Sequence, residues 1–139
     1  MSVAPDRSFP PYRALDQLLK EALRDAGRDG LQTYEIVDRV EEELPLLARL
    51  IRRKAMADVI RKRVGRLKDV AGMPWARSVH RRYIQRSFWS EDDYRVVIGG
   101  YIRRGRSNLA VAERLAQEAK VVHDVVIHVP TLFDDREAC

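Results

Sequence analysis

Apolar residues recur every three or four positions through most of the chain, in stretches separated by glycine and proline. Leu15, Leu18, Leu19, Ala22 and Leu23 define a first amphipathic helix from about Tyr12 to Ala26, which Gly27 and Gly30 stop. Residues 1–11, with Pro5, Pro10 and Pro11, read as an irregular arm. Thr33, followed by Glu35, Ile36, Val37 and Val40, predicts a capped second helix to about Leu44, where Pro45 breaks or restarts it. From Leu46 to Val70 the helical spacing continues but slips phase across Arg52, Arg53 and Lys54, so two helices or a bend are expected. In the later part Met56, Val59, Ile60, Val64 and Leu67 share one face. Asp58, Arg61, Lys62, Lys68 and Asp69 face away from it, and Arg66 flanks it. Arg63 falls on the apolar side, where either its stem carries the charge out to water or the register shifts.

After Gly72, Met73 and Pro74 the period changes. Residues 75–79 and 83–88, separated by His80-Arg81-Arg82, predict a short β-hairpin with a basic tip. Three helices and then a basic hairpin is the winged-helix order, in which the third helix enters the major groove and the hairpin follows the backbone or minor groove. A plain helical bundle with a basic loop is the alternative. Ser90 with Asp93 predicts a capping box, and Tyr94, Val97, Ile98, Tyr101 and Ile102 then share a helical face. Gly99-Gly100 interrupts that face. Two interior glycines cost a helix roughly 2 kcal/mol against alanine, and the same pair can make a hairpin turn; the cap favours the helix. Gly105 ends it, and Ser107 or Asn108 starts another through Leu109, Ala112, Leu115, Ala116 and Ala119. The expected fold is mainly α, with a helix-turn-helix or winged-helix core, a short β-hairpin and a C-terminal helical pair. Its regions are an arm at 1–11, a winged-helix-like region at 12–89, a helical region at 90–130 and a tail at 131–139.

Charge sharpens this picture. Residues 49 to 88 hold 13 Arg or Lys against Asp58 and Asp69, a local net charge of +11 in a chain of +5, so the flanks are acidic. Such a block attracts a polyanion, and Trp75, Tyr83, Phe88 and Trp89 lie towards its end. The plainer reading is a solvated basic face, packed in part on Glu41-Glu42-Glu43. Arg outnumbers Lys 21 to 5, which suits bidentate contacts to phosphate or guanine. Apolar runs are too short for a membrane span, no signal peptide is evident, and the lone cysteine, Cys139, allows neither an intrachain disulfide nor a cysteine-based zinc cluster. A cytoplasmic, nucleoid-associated protein is expected.

The run Gly105-Arg106-Ser107-Asn108-Leu109-Ala110-Val111-Ala112-Glu113-Arg114-Leu115 resembles the start of the LuxR/GerE-type helix-turn-helix, whose pattern is G-x-S-N-x-x-I/V-A-x-x-L. Lys120, Val122, Val126 and Val129 fall at spacings that pattern would expect, so the resemblance covers about 91–129 and implies a second DNA-binding unit with Lys120 to Val129 as its reading stretch. Ala116 stands where the turn glycine is usual, and Val121 to Ile127 can also form a strand.

Catalytic signals are sparse. His123 and His128, five apart, share a helix face poorly, Asp124 beside His123 is one acid-base pairing, and Glu118-Ala-Lys120 has the acid-x-Lys form of metal-dependent nucleases. A solvated surface accounts for each of these, and neither catalysis nor a cofactor or metal is expected. The expected function is sequence-specific binding of double-stranded DNA, as a transcriptional regulator or genome-management factor, with a homodimer as an option. Arg52, Arg53, Lys54, Arg81, Arg82, Arg103, Arg104 and Arg106 are the candidate phosphate contacts, and Arg61, Lys62 and Arg66 the candidate base contacts. The competing readings are an adaptor whose basic face meets an acidic protein, and an RNA-binding protein that stacks unpaired bases on Trp75, Tyr83 and Trp89.

Overall fold

A computed structural model describes residues 10–105 and 108–130. These residues form six α-helices, α1 (Pro10–Ala26), α2 (Thr33–Glu43), α3 (Pro45–Leu50), α4 (Arg53–Arg66), α5 (Glu91–Arg103) and α6 (Leu109–His123), and one antiparallel hairpin of β1 (Ala76–Val79) and β2 (Arg82–Gln85). The chain divides into two compact units, Met1–Phe88 and Trp89–Cys139. The protein is therefore mainly α with a short hairpin and a C-terminal helical pair.

In the first unit the helical stripes meet as their spacing requires. Leu15, Leu19 and Leu23 of α1, Ile36 and Val40 of α2, and Met56, Ile60 and Val64 of α4 are buried in one apolar cluster. Helix α1 starts at Pro10, two residues before the expected Tyr12, so Pro10 and Pro11 leave the arm. Proline is tolerated in a first turn because the N–H it lacks would have no partner within the helix. The cap of α2 is Gln32, one residue earlier than Thr33, and its backbone N–H donates to Glu35 Oε1 at 3.2 Å. Pro45 restarts the chain as α3, and Ile51 in extended conformation, followed by Arg52 as the N-cap of α4, separates α3 from α4, which resolves the phase slip into two helices. Arg63 neither snorkels to water nor shifts the register. Its guanidinium makes a two-pronged pair with Asp16 of α1, at 3.0 and 2.6 Å, over the ring of Tyr12.

The helical period reaches Leu67, yet α4 ends at Arg66. Leu67 keeps its place in the core on extended backbone, and residues 68–74 form a loop closed by a bridge between Lys68 and Pro74. Asp69 organises that loop. Its Oδ1 accepts from the backbone N–H groups of Ala71 and Met73, both at 2.9 Å, and its Oδ2 accepts from Arg86 at 2.6 Å. The Arg86 bond, followed by the backbone N–H bonds, holds the Asp69 carboxyl below its ordinary value. A depressed folded-state pKa contributes stability above the unfolded value of about 4, and this is lost as pH falls through the lower folded value. Asp69→Ala is expected to destabilise the first unit by about 1–3 kcal/mol at pH 7. Wild-type melting temperature should also fall more steeply below about pH 4 than that of Asp69→Asn, a difference that parallel thermal melts would measure.

The hairpin pairs Val79 with Arg82, leaving only His80 and Arg81 in the turn, at φ of 49° and 68°. Two left-handed central residues match the twist of a two-residue hairpin, although Asn-Gly is the usual occupant. Residues 86–88, expected in the second strand, form a short 3-10 turn. Leu31, between α1 and α2, bridges Tyr83 through reciprocal backbone hydrogen bonds of 3.0 and 2.8 Å. In chain order the first unit is thus α1, the bridge residue Leu31, α2, α3, α4 and the hairpin, four helices where three were expected before it.

The second unit packs α5 against α6. Ser90 and Asp93 cap α5 reciprocally, at 2.9 and 3.2 Å. Trp89 meets Tyr94 edge-to-face, and Tyr94 donates to Glu118 Oε1 at 2.6 Å. Gly99 and Gly100 lie inside α5, so the hairpin alternative falls away. A Cβ at Gly100 would meet nothing within 4 Å. Gly100→Ala is accordingly expected to be neutral or stabilising by up to about 1 kcal/mol in a thermal melt.

Candidate nucleic-acid interface

Burial of Met56, Ile60 and Val64 fixes the rotation of α4, and it turns the opposite side outward. Lys54, Asp58, Arg61, Lys62, Gly65 and Arg66 are all exposed on that side. With helical steps of 100°, Asp58 stands about 160° round the axis from Ile60, near the middle of the outward face. All three candidate base-contact residues thus share a face with Lys54. Asp58 forms ion pairs with Arg61 and, at 3.5 Å, with Lys62. Lys54 and Arg66 have no side-chain partner among the described residues.

The other candidates separate. Arg52, just before α4, and Arg81, at the hairpin tip, are exposed and unpaired among the described residues. Arg53 is held by Asp38 at 2.8 Å and Glu41 at 2.6 Å, and these hydrogen bonds raise its pKa further. Its charge is thus satisfied against α2, so the packing of basic residues on the acidic segment applies to this one side chain. Arg82 lies in β2 rather than at the tip. Its guanidinium turns back to the carbonyls of Asp29 and Gly30 and to Glu35 Oε1 at 3.3 Å, which ties the hairpin to the α1–α2 connection. Of these partners only the acidic segment at Glu41 was foreseen from charge; Asp38, Glu35 and the two carbonyls are set by the fold. Arg103 and Arg104 are exposed at the end of α5 in the second unit, with Arg104 over the Tyr101 ring at 5.6 Å. Arg106 lies outside the described residues.

Two further cations, Lys68 and Arg77, lie in the chain between α4 and the hairpin tip. The Lys68 ammonium is pushed below its ordinary pKa, first by desolvation and then by repulsion from Arg77 on β1. Arg77 also donates to the Ala76 carbonyl oxygen at 2.9 Å. Helical periodicity put Lys68 on a continuing helix and left this proximity unseen.

The three aromatic residues named as stacking candidates, Trp75, Tyr83 and Trp89, offer no open platform. Tyr83 and Trp89 are buried, and half-buried Trp75 packs at the core with Lys20 and Arg24 over its ring at 5.3 and 5.9 Å.

In the second unit α6 runs unbroken through Ala116 to His123, and residues 124–130 are neither helix nor strand. The LuxR/GerE-like run 105–115 overlaps the first half of α6, with Arg106 and Ser107 outside the described residues. His123 Nε2 lies 2.7 Å from the Trp89 carbonyl oxygen, Lys120 pairs with Asp124 at 2.8 Å, and Glu118 is the acceptor for Tyr94. The residues of the acid-base and acid-x-Lys patterns thus have partners within the helical pair. Among the described residues no group of three or more His, Cys, Asp or Glu could hold a metal ion, and no helix is long and apolar enough to cross a membrane.

No family model matches the chain, and neither curated proteins nor solved structures provide a match.

Proposed function

We propose that the first unit binds double-stranded DNA, with the outward face of α4 in the major groove and the His80-Arg81 tip against the backbone. The observation that carries this reading is the convergence of Lys54, Arg61, Lys62 and Arg66 on the one face of α4 that the core leaves exposed, in a unit whose last helix is followed by a hairpin. Arg61, Lys62 and Arg66 are the base-contacting set. Lys54, Arg52 and Arg81 supply phosphate contacts that fix register, and Lys68 with Arg77 adds positive potential between helix and hairpin. Arg53 and Arg82 serve the geometry of this surface through their carboxylate and carbonyl partners. A role in transcription regulation or genome management follows from sequence-specific duplex binding.

Burial of Tyr83 and Trp89 favours duplex over unpaired bases, since stacking needs an open aromatic face. Fluorescence anisotropy with a labelled random-sequence duplex and the matching single strand at low salt tests the reading. Tighter binding of the duplex is expected. Preference for the single strand would favour RNA-type recognition, and binding of neither would favour an acidic protein partner.

A further inference from the structure

An acidic side chain in the middle of a DNA-binding face opposes the attraction that brings the face to DNA. Asp58 occupies that position, about 160° from buried Ile60, with its side chain 50% exposed. Its ion-pair partners are Arg61 and Lys62 on its own helix, three and four residues on, so it ties α4 to no other element. An exposed pair of that kind adds little stability to a helix. The packing of the unit therefore does not depend on this carboxylate, whereas the two side chains best placed to read bases are both held by it.

Resting on the duplex-binding reading above, we infer that Asp58 is a specificity-determining residue that restrains Arg61 and Lys62 and penalises generic phosphate contact. The physical basis is an asymmetry between the two surfaces of DNA. Phosphate oxygens only accept hydrogen bonds and are negative in every register, so they repel the Asp58 carboxylate wherever the protein lands. The major-groove edge also presents amino donors, cytosine N4 and adenine N6, to which a carboxylate can bond. At a site with such a donor opposite Asp58, the carboxylate gains a partner as Arg61 and Lys62 turn to guanine or phosphate. Elsewhere it is left facing acceptors. Discrimination then arises from a repulsive element as well as from attractive contacts.

The test compares Asp58→Asn with Glu42→Gln, which makes the same change in net charge at an exposed position of α2 that is not part of the outward face of α4. Both variants should melt like wild type. With a labelled random-sequence duplex, Asp58→Asn is expected to bind at least fivefold more tightly than wild type and Glu42→Gln less than twofold more tightly. In an Arg61→Ala/Lys62→Ala background the gain from Asp58→Asn should be smaller than in wild type, since only the direct repulsion between carboxylate and phosphate is then relieved. Selection from a random duplex pool followed by sequencing should give weaker site enrichment for Asp58→Asn than for wild type. Equal gains for Asp58→Asn and Glu42→Gln would reduce the effect to net charge and overturn the inference, as would unchanged or weaker binding by Asp58→Asn. Either result, with wild type still binding duplex, leaves the proposed function standing. Failure of wild type itself to bind removes both.

Discussion

Gly30→Ala is expected to destabilise the first unit by about 3 kcal/mol or more. At φ 64° and ψ −174°, a region essentially confined to glycine, a side chain costs roughly 1–3 kcal/mol on its own. Here the added Cβ would also stand 2.6 Å from the Tyr83 carbonyl oxygen and 2.7 Å from Ile84 Cγ1. The first of these is backbone belonging to the strand that Leu31 bridges, so relief requires the hairpin to move away from the α1–α2 connection. Overpacking of that kind adds about 1–3 kcal/mol. Gly72, at φ 80° with nothing within 4 Å of its would-be Cβ, isolates the conformational part, and Gly72→Ala should cost only about 1–2 kcal/mol. Denaturant melts of the two variants separate the contributions. Equal losses would mean that the close approach at Gly30 contributes nothing.

Replacing Lys54, Arg61, Lys62 and Arg66 together with alanine is expected to weaken duplex binding by at least a hundredfold. Each charge-assisted contact to a base or phosphate is worth on the order of 1 kcal/mol or more, and four of them exceed the roughly 2.7 kcal/mol that a factor of 100 represents. None of the four side chains is buried, so the melting temperature should change little. Lys120→Ala, on α6 of the second unit, should alter affinity less than threefold. Abolished binding in Lys120→Ala with the fourfold variant unaffected would place the reading surface in the second unit instead.

How much of this surface could be read in advance depends on the range of the interactions involved. Rotation of α4 was legible because it follows from local periodicity, and Met56, Ile60 and Val64 are buried as their spacing requires. Its end was not, because Leu67 satisfies the same apolar period from extended backbone. The hairpin was visible in β-forming residues, yet its two-residue turn was obscured by His80 and Arg81, which carry none of the usual Asn-Gly signal. A one-residue bridge at Leu31 has no periodicity to detect. Charge counting located the basic block but not the partners within it. Arg53 meets Asp38 and Glu41 from 15 and 12 positions away, Arg63 meets Asp16 across 47, and Arg82 meets the Gly30 carbonyl across 52. Only the fold decides which of those charges remain available to a ligand.

The most direct measurement is the salt dependence of duplex affinity for the wild-type protein. Six exposed cations, Arg52, Lys54, Arg61, Lys62, Arg66 and Arg81, are assigned to DNA, and those that settle on phosphate release counterions at a slope of roughly −0.9 each in log affinity against log salt. The account predicts a linear plot with a slope of about −3 to −5, made shallower by the fourfold α4 substitution. A flat plot, or no binding at low salt, would contradict it.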